Sequence, residues 1–142
     1  MQTYIGTKII KARPATRDEV EELLKRSIGG KEEGAGYLVE YPDGYQSWSP
    51  KDVFEAAYRP MAGLTFGLAI EAAKKGLKVA RQGWNGKGIF VFLVPGSHFT
   101  IYPEGTPIDY RSHLDMKTAD GSIVPWLASQ TDVLAEDWEI VQ

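Results

Sequence analysis

The run Arg59-Pro60-Met61-Ala62-Gly63 sets the terms on which this chain can fold. Proline at 60 disfavours helix at the residue before it and glycine at 63 loosens the backbone, so the run reads as a linker. It divides the 142 residues into modules 1–60 and 61–142. Cores that small are marginal alone, which makes oligomerisation a ready way to bury more surface. The chain has no cysteine, so neither disulfides nor thiolate metal sites can compensate. With 43% hydrophobic and 25% charged residues, the composition is that of globular rather than disordered chain.

Residues 1–58 read as a β-α-β-β-α unit. Tyr4 to Ile10 is rich in strand formers, and Thr16-Arg17-Asp18-Glu19 is a capping box opening a helix over Arg17 to Ser27. Its predicted core face is Val20, Leu23, Leu24 and Ser27 or Ile28, with Gly29-Gly30 ending it and Lys31 to Gly36 as a charged loop. Tyr37 to Tyr41 and Tyr45 to Trp48 form a hairpin through Pro42-Asp43-Gly44. Ser49 then caps a short helix with Pro50 in its first position, ending near Tyr58. Tyr37, Tyr41, Tyr45 and Trp48 read either as a packed cross-strand ladder or as a protein-binding surface.

Residues 61–142 read as a small antiparallel-sheet domain with one main helix, so the whole chain is of the α+β class. Thr65 caps a helix whose Phe66, Ala69, Ile70, Ala73 and Leu77 follow helical spacing, closed by Gly76. Lys78 to Arg81 is a short strand, and Ile89 to Val94 is a longer one buried on both faces or covered by a partner. His98 to Tyr102 reads as a strand and Pro103 to Pro107 as a loop. Leu114 and Met116 alternate with Asp115 and Lys117, Asp120-Gly121 turns the chain, and Ile123 to Trp126 pairs back. Ser129 to Asp132 is a polar loop or single helical turn, and Trp138 and Ile140 alternate in a closing strand.

The net charge is −3, with −1 in residues 1–60 and −2 in residues 61–142, so neither half carries the basic footprint of a DNA- or RNA-binding module. The first residues lack a basic stretch followed by an apolar one, and no apolar run approaches a membrane span, which reads as a soluble intracellular protein.

Two segments are chemically loaded. Arg81-Gln82-Gly83-Trp84-Asn85-Gly86-Lys87-Gly88 places three glycines around an indole, an amide and two cations. Glycine allows close backbone approach, the indole offers a stacking face, and Arg81 or Lys87 can neutralise phosphate. The second, Pro125 to Asp132, also sets an indole, Trp126, before small hydrogen-bonding groups in Ser129, Gln130, Thr131 and Asp132. The two indoles could sandwich a base. Against this, the first segment is equally a turn with a packed tryptophan, Trp126 a core residue, and Ser129-Gln130-Thr131-Asp132 a helix-capping string. His113 and Asp115 share a strand face at i, i+2, but two ligands fall short of a zinc centre, and Ser97-His98 lacks a positioned third group for hydrolysis. The reading is therefore no metal, no cofactor and no catalytic constellation. Glu136, Asp137 and Glu139 read as a solvated edge.

Residues 61–142 closely resemble the phage Thoeris anti-defence protein family of the second type. The blocks that carry the resemblance are Leu64-Thr65-Phe66-Gly67, Val79 to Gly88, Phe92 to Ser97, His113 to Gly121 and Val124 to Trp138, in that order. The resemblance implies a sponge that binds glycocyclic ADP-ribose, the signal of TIR-domain Thoeris enzymes, without cleaving it, in the cytoplasm of the infected bacterial host. It implies a homotetramer with pockets between protomers, and for some members separate sites for the cyclic dinucleotides of CBASS immunity. Arg81, Trp84, Asn85, Lys87, Asp115, Trp126, Ser129, Gln130, Thr131 and Asp132 are the ligand-binding candidates. Residues 1–60 look like an added accessory module. The other classes open to the sequence are a phage protein-interaction or virion accessory module and a nucleotide-signal hydrolase.

Overall fold

A computed structural model describes residues 1–30 and 34–142. The chain forms two compact units, Met1–Arg59 and Pro60–Gln142.

The first unit has the order β1 (Lys11–Thr16), α1 (Arg17–Leu24), β2 (Ala35–Glu40), β3 (Gln46–Pro50) and α2 (Lys51–Ala57). Its antiparallel sheet runs β1-β2-β3. The strand expected over Tyr4 to Ile10 begins instead at Lys11, because Lys11 already stands opposite Glu40, the last residue of β2 before the chain turns away. The register with β2 runs from Lys11 to Thr16, Lys8 Nζ lies over the Tyr41 ring at 5.3 Å, and Tyr4 and Ile5 are exposed. Of the charged loop expected over Lys31 to Gly36, residues 31–33 lie outside the described residues, and Ala35 and Gly36 belong to β2.

The capping box of α1 is present: the Thr16 hydroxyl accepts from the Glu19 amide, and Glu19 Oε2 accepts from the Thr16 amide at 2.8 Å. The helix stops sooner than expected, at Lys25 in the left-handed region (φ 51°), rather than at the glycine pair. Over two turns its inward stripe is Val20 and Leu24, continued by Ile28, against Ala15, Leu38 and Trp48. Leu23 falls outside that stripe and is 53% exposed, against expectation. Trp48 is buried and its indole N–H donates to the Ala15 carbonyl at 3.1 Å. Gly36 makes room for it, since a Cβ there would stand 2.5 Å from Trp48 Nε1.

The helix α2 is capped by Pro50 without a side-chain bond, not by Ser49. It stacks Phe54 on Tyr37 (4.1 Å between ring centroids) and Tyr58 on Phe54 (5.0 Å). The expected hairpin ladder is thereby split. Tyr41 and Tyr45 pair across the turn at 6.0 Å, Tyr37 stacks on α2, and Trp48 enters the core beneath α1 with Val20 and Leu38.

In the second unit follow β4 (Ala62–Leu64), α3 (Phe66–Lys74), β5 (Lys78–Arg81), β6 (Phe90–Val94), β7 (Ser97–Ile101), β8 (Thr106–Tyr110), β9 (His113–Lys117), β10 (Ile123–Pro125), α4 (Gln130–Val133) and β11 (Trp138–Val141). Six strands form an antiparallel sheet in the order β10-β9-β6-β5-β11-β4, and β7 with β8 makes a separate ribbon. Two expectations are corrected. Ala62 and Gly63, read as linker, belong to β4, which pairs with β11. Thr106 and Pro107, read as loop, begin β8, where a two-stranded ribbon tolerates proline because its outer side needs no donor.

Thr65 caps α3, its hydroxyl accepting from the Leu68 amide. The helix lays Ala69, Ala72 and Ala73 on Leu64, Val79, Val91 and Trp138, with Leu114, Met116 and Ile140 around them. Strand alternation sends Phe90, Phe92 and Asp115 to the other side of the sheet. Val91 is fully buried, whereas Phe90 and Phe92 are half-buried and pack on each other at 5.9 Å.

Candidate functional site

The strand β5 delivers Arg81 to the start of the glycine-rich loop, and the closing strand sets Trp138 opposite it. That register brings Asp137, one residue ahead, onto the guanidinium. Arg81 Nε donates to Asp137 Oδ1 at 2.8 Å and Nη2 to Asp137 Oδ2 at 3.3 Å, while Nη1 donates to Asp132 Oδ1 at 3.0 Å. The Arg81 side chain is only 16% exposed. Asp137 also takes the Gly83 amide on Oδ2 (3.0 Å) and the Gln82 amide on its main-chain carbonyl (3.1 Å). The loop leaves the sheet through a turn closed by the Trp84 amide on the Arg81 carbonyl at 3.2 Å.

Asp132 is the second anchor. Ser129 caps α4, and capping box and site coincide: Asp132 Oδ2 accepts from the Ser129 hydroxyl at 2.6 Å and its amide at 3.1 Å. Oδ1 takes the Trp84 indole N–H at 3.2 Å as well as Arg81. The Asp132 carbonyl takes the indole N–H of buried Trp138 at 2.9 Å. Burial pushes the Asp132 carboxyl up, but the bonds from Ser129 and Arg81 outweigh it and the net shift is downward. The bond from Arg81 is the main cause holding Asp137 below the ordinary carboxylate range, and the bond to Asp137 leads in raising Arg81.

Around these groups the rings of Phe66, Trp84, Trp126 and Trp138 form one cluster. Trp84 meets Trp138 edge-on at 5.3 Å and Trp126 edge-on at 6.1 Å, and Phe66 touches Trp126 and Trp138. The two indoles that could sandwich a base instead touch each other at 68°, with no slot between them; both are half-buried, leaving part of each ring to solvent.

The structure thus brings Arg81, Trp84, Trp126, Ser129 and Asp132 together. Asn85 and Lys87 are exposed on the loop, and Gln130 and Thr131 are exposed on α4. Asp115 stands apart. Its neighbours Leu114 and Met116 pack toward α3, so it faces the other side of the sheet, where its Oδ1 lies 3.4 Å from His113 Nε2. That geometry is too poorly aligned for a hydrogen bond and leaves the buried Oδ1 without a donor. Among the described residues, no group of three or more His, Asp or Glu side chains is placed to hold a metal ion, and no helix is long and apolar enough to cross a membrane.

Sequence reasoning missed two residues. Asp137, read as solvated edge, is the bidentate partner of Arg81, a contact visible only once β11 is paired with β5. Lys117 donates from Nζ to the Gly88 carbonyl at 3.3 Å, tying the far end of the loop to β9.

Comparison with known proteins bears on the same half of the chain. The family model of the Thoeris anti-defense 2-like domain matches residues 64–141. Thoeris anti-defense 2 of Bacillus phage SP01 is 44% identical over 86 residues, an alignment spanning 55% of this chain and 94% of the phage protein. The matched span holds α3, the whole glycine-rich loop, α4 and the closing strand, and on that match the chain belongs to the Thoeris anti-defense 2-like family.

Proposed function

We propose that this protein binds and sequesters a cyclic nucleotide immune signal without cleaving it, with glycocyclic ADP-ribose as the ligand and CBASS cyclic dinucleotides as a second class. Residues 61–142 carry the binding and residues 1–60 are an accessory module. It acts in the cytoplasm of the infected host and engages neither nucleic acid nor membrane. The observation that carries the reading is the pairing of a partly open indole cluster with exposed amide, hydroxyl and ammonium groups on two adjoining segments of a family member. The exposed edges of Trp84 and Trp126 take the base. Asn85, Gln130, Thr131 and Ser129 take ribose hydroxyls and base edges, and Lys87 takes pyrophosphate.

The working form in this reading is a homotetramer with pockets shared between protomers. Phe90 and Phe92, half-buried on the side of the sheet away from α3, support a self-association face. Asp115, on that same side, reaches a ligand at a pocket to which a second protomer contributes.

One experiment tests the reading. The protein is incubated with glycocyclic ADP-ribose, separated from free nucleotide, heat-denatured, and the released material chromatographed. Intact nucleotide supports sequestration, an altered product means hydrolysis, and no uptake points to an interaction module. A sponge competing with a sensor needs a dissociation constant in the nanomolar range, about −12 kcal/mol. Calorimetry that finds only millimolar binding overturns it.

A further inference from the structure

We infer that Asp137 is a positioning residue for the ligand-binding loop, acting with Asp132 through Arg81, and that Arg81 is spent on this clamp rather than on the ligand's phosphates. The inference rests on the sequestration reading above. Arginine presents a planar fork of five N–H donors, and here every nitrogen is already engaged through one of them: Nε and Nη2 by Asp137, Nη1 by Asp132. One guanidinium between two carboxylates leaves local charge negative, which repels a pyrophosphate rather than inviting it.

What the clamp does is fix the loop before ligand arrives. Asp137 pins two successive amides, of Gln82 and Gly83, while Asp132 pins the indole N–H of Trp84. Glycine at 83 is what lets the carboxylate close in, since a Cβ there would stand 2.9 Å from Asp137 Oδ2. The ring is therefore oriented from both backbone and side chain, and Asn85 follows at a set position. Groups held in advance lose less freedom on binding, so the clamp raises affinity without touching ligand. The repelled phosphates are directed to the Lys87 end of the loop.

The test uses the full chain and the variants Asp137→Ala and Asp137→Asn, titrated with glycocyclic ADP-ribose by calorimetry. In parallel, the indole N–H resonances of the four tryptophans are recorded, that of Trp84 being identified by its loss in Trp84→Phe. Asp137→Ala is expected to lower affinity by about ten-fold and to move the Trp84 indole signal more than that of Trp48, while Asp137→Asn, which keeps an acceptor for Gly83, recovers part of both. If Asp137→Ala does not fold, Asp137→Asn alone must show the smaller affinity loss and the Trp84 shift. Wild-type affinity in a folded variant, or weakened binding with an unmoved Trp84 signal, overturns the inference. A wild-type protein that binds no nucleotide overturns the sequestration reading instead, and is recognised separately because it needs no variant.

Discussion

At Asp132 four donors converge on one carboxylate: Arg81 Nη1, the Trp84 indole, and the amide and hydroxyl of Ser129. A carboxylate offers about four lone-pair sites, so this one is filled from within the fold. Asp132→Asn replaces an acceptor with a donor facing other donors, and is expected to destabilise the second unit by roughly 1–3 kcal/mol, read from denaturant midpoints. The same chemistry sets an acid response. Asp132 and Asp137 both titrate below their unfolded values, so in acid the unfolded chain binds protons first and stability rises with pH. Their contribution is complete above about pH 5 and is lost as the pH falls through the unfolded and then the folded values. Melting temperatures followed from pH 7 to pH 3 should fall more steeply in the wild type than in Asp137→Asn. Trp84 is bound into the same network, so Trp84→Ala should weaken ligand by ~1–3 kcal/mol through lost stacking and also lower the melting temperature. Unchanged calorimetric affinity in that variant would place Trp84 in the core alone.

Between elements, the glycine-rich loop has two ends of opposite electrostatic character. One is held by the Arg81 clamp and the other is tied to β9 through Lys117 and Gly88. Lys87 projects beside the second end and is exposed. Lys87→Gln is expected to weaken nucleotide binding about ten-fold at low salt and less at high salt, because screening already discounts an exposed charge. Equal affinity at both salt concentrations would remove Lys87 from the phosphate site. The elements themselves were legible where their signals are local. Thr16 and Glu19, Ser129 and Asp132, and Thr65 state their helix caps in a few residues of sequence, and Pro42-Asp43-Gly44 states its turn. The strands β4 and β8 were not legible, because three residues show no alternation and a proline masks the start of a ribbon. Asp137 was missed for a related reason: its neighbour across the sheet is 56 positions away, and adjacency of that kind is set by register rather than by any local pattern. Tyr4 to Ile10 was misread in the opposite sense, since strand propensity does not fix where the register with β2 begins, and that is at Lys11.

On the scale of the whole molecule, the first unit has its own core around Val20, Leu38 and Trp48, and the second around Val79, Val91 and Trp138. A chain lacking residues 1–60 is therefore expected to fold and to bind glycocyclic ADP-ribose within about two-fold of the full chain, as measured by calorimetry. A truncated chain that stays folded but loses the nucleotide would assign the first unit a part in binding. The cut at that point spares Met61, whose carbonyl accepts from the Ile140 amide at 3.0 Å. It also spares β4, whose Ala62 pairs with Glu139 of the closing strand. The second unit's sheet is entered at β4, on its rim, and left at the neighbouring β11, so the two ends of that unit's path lie side by side.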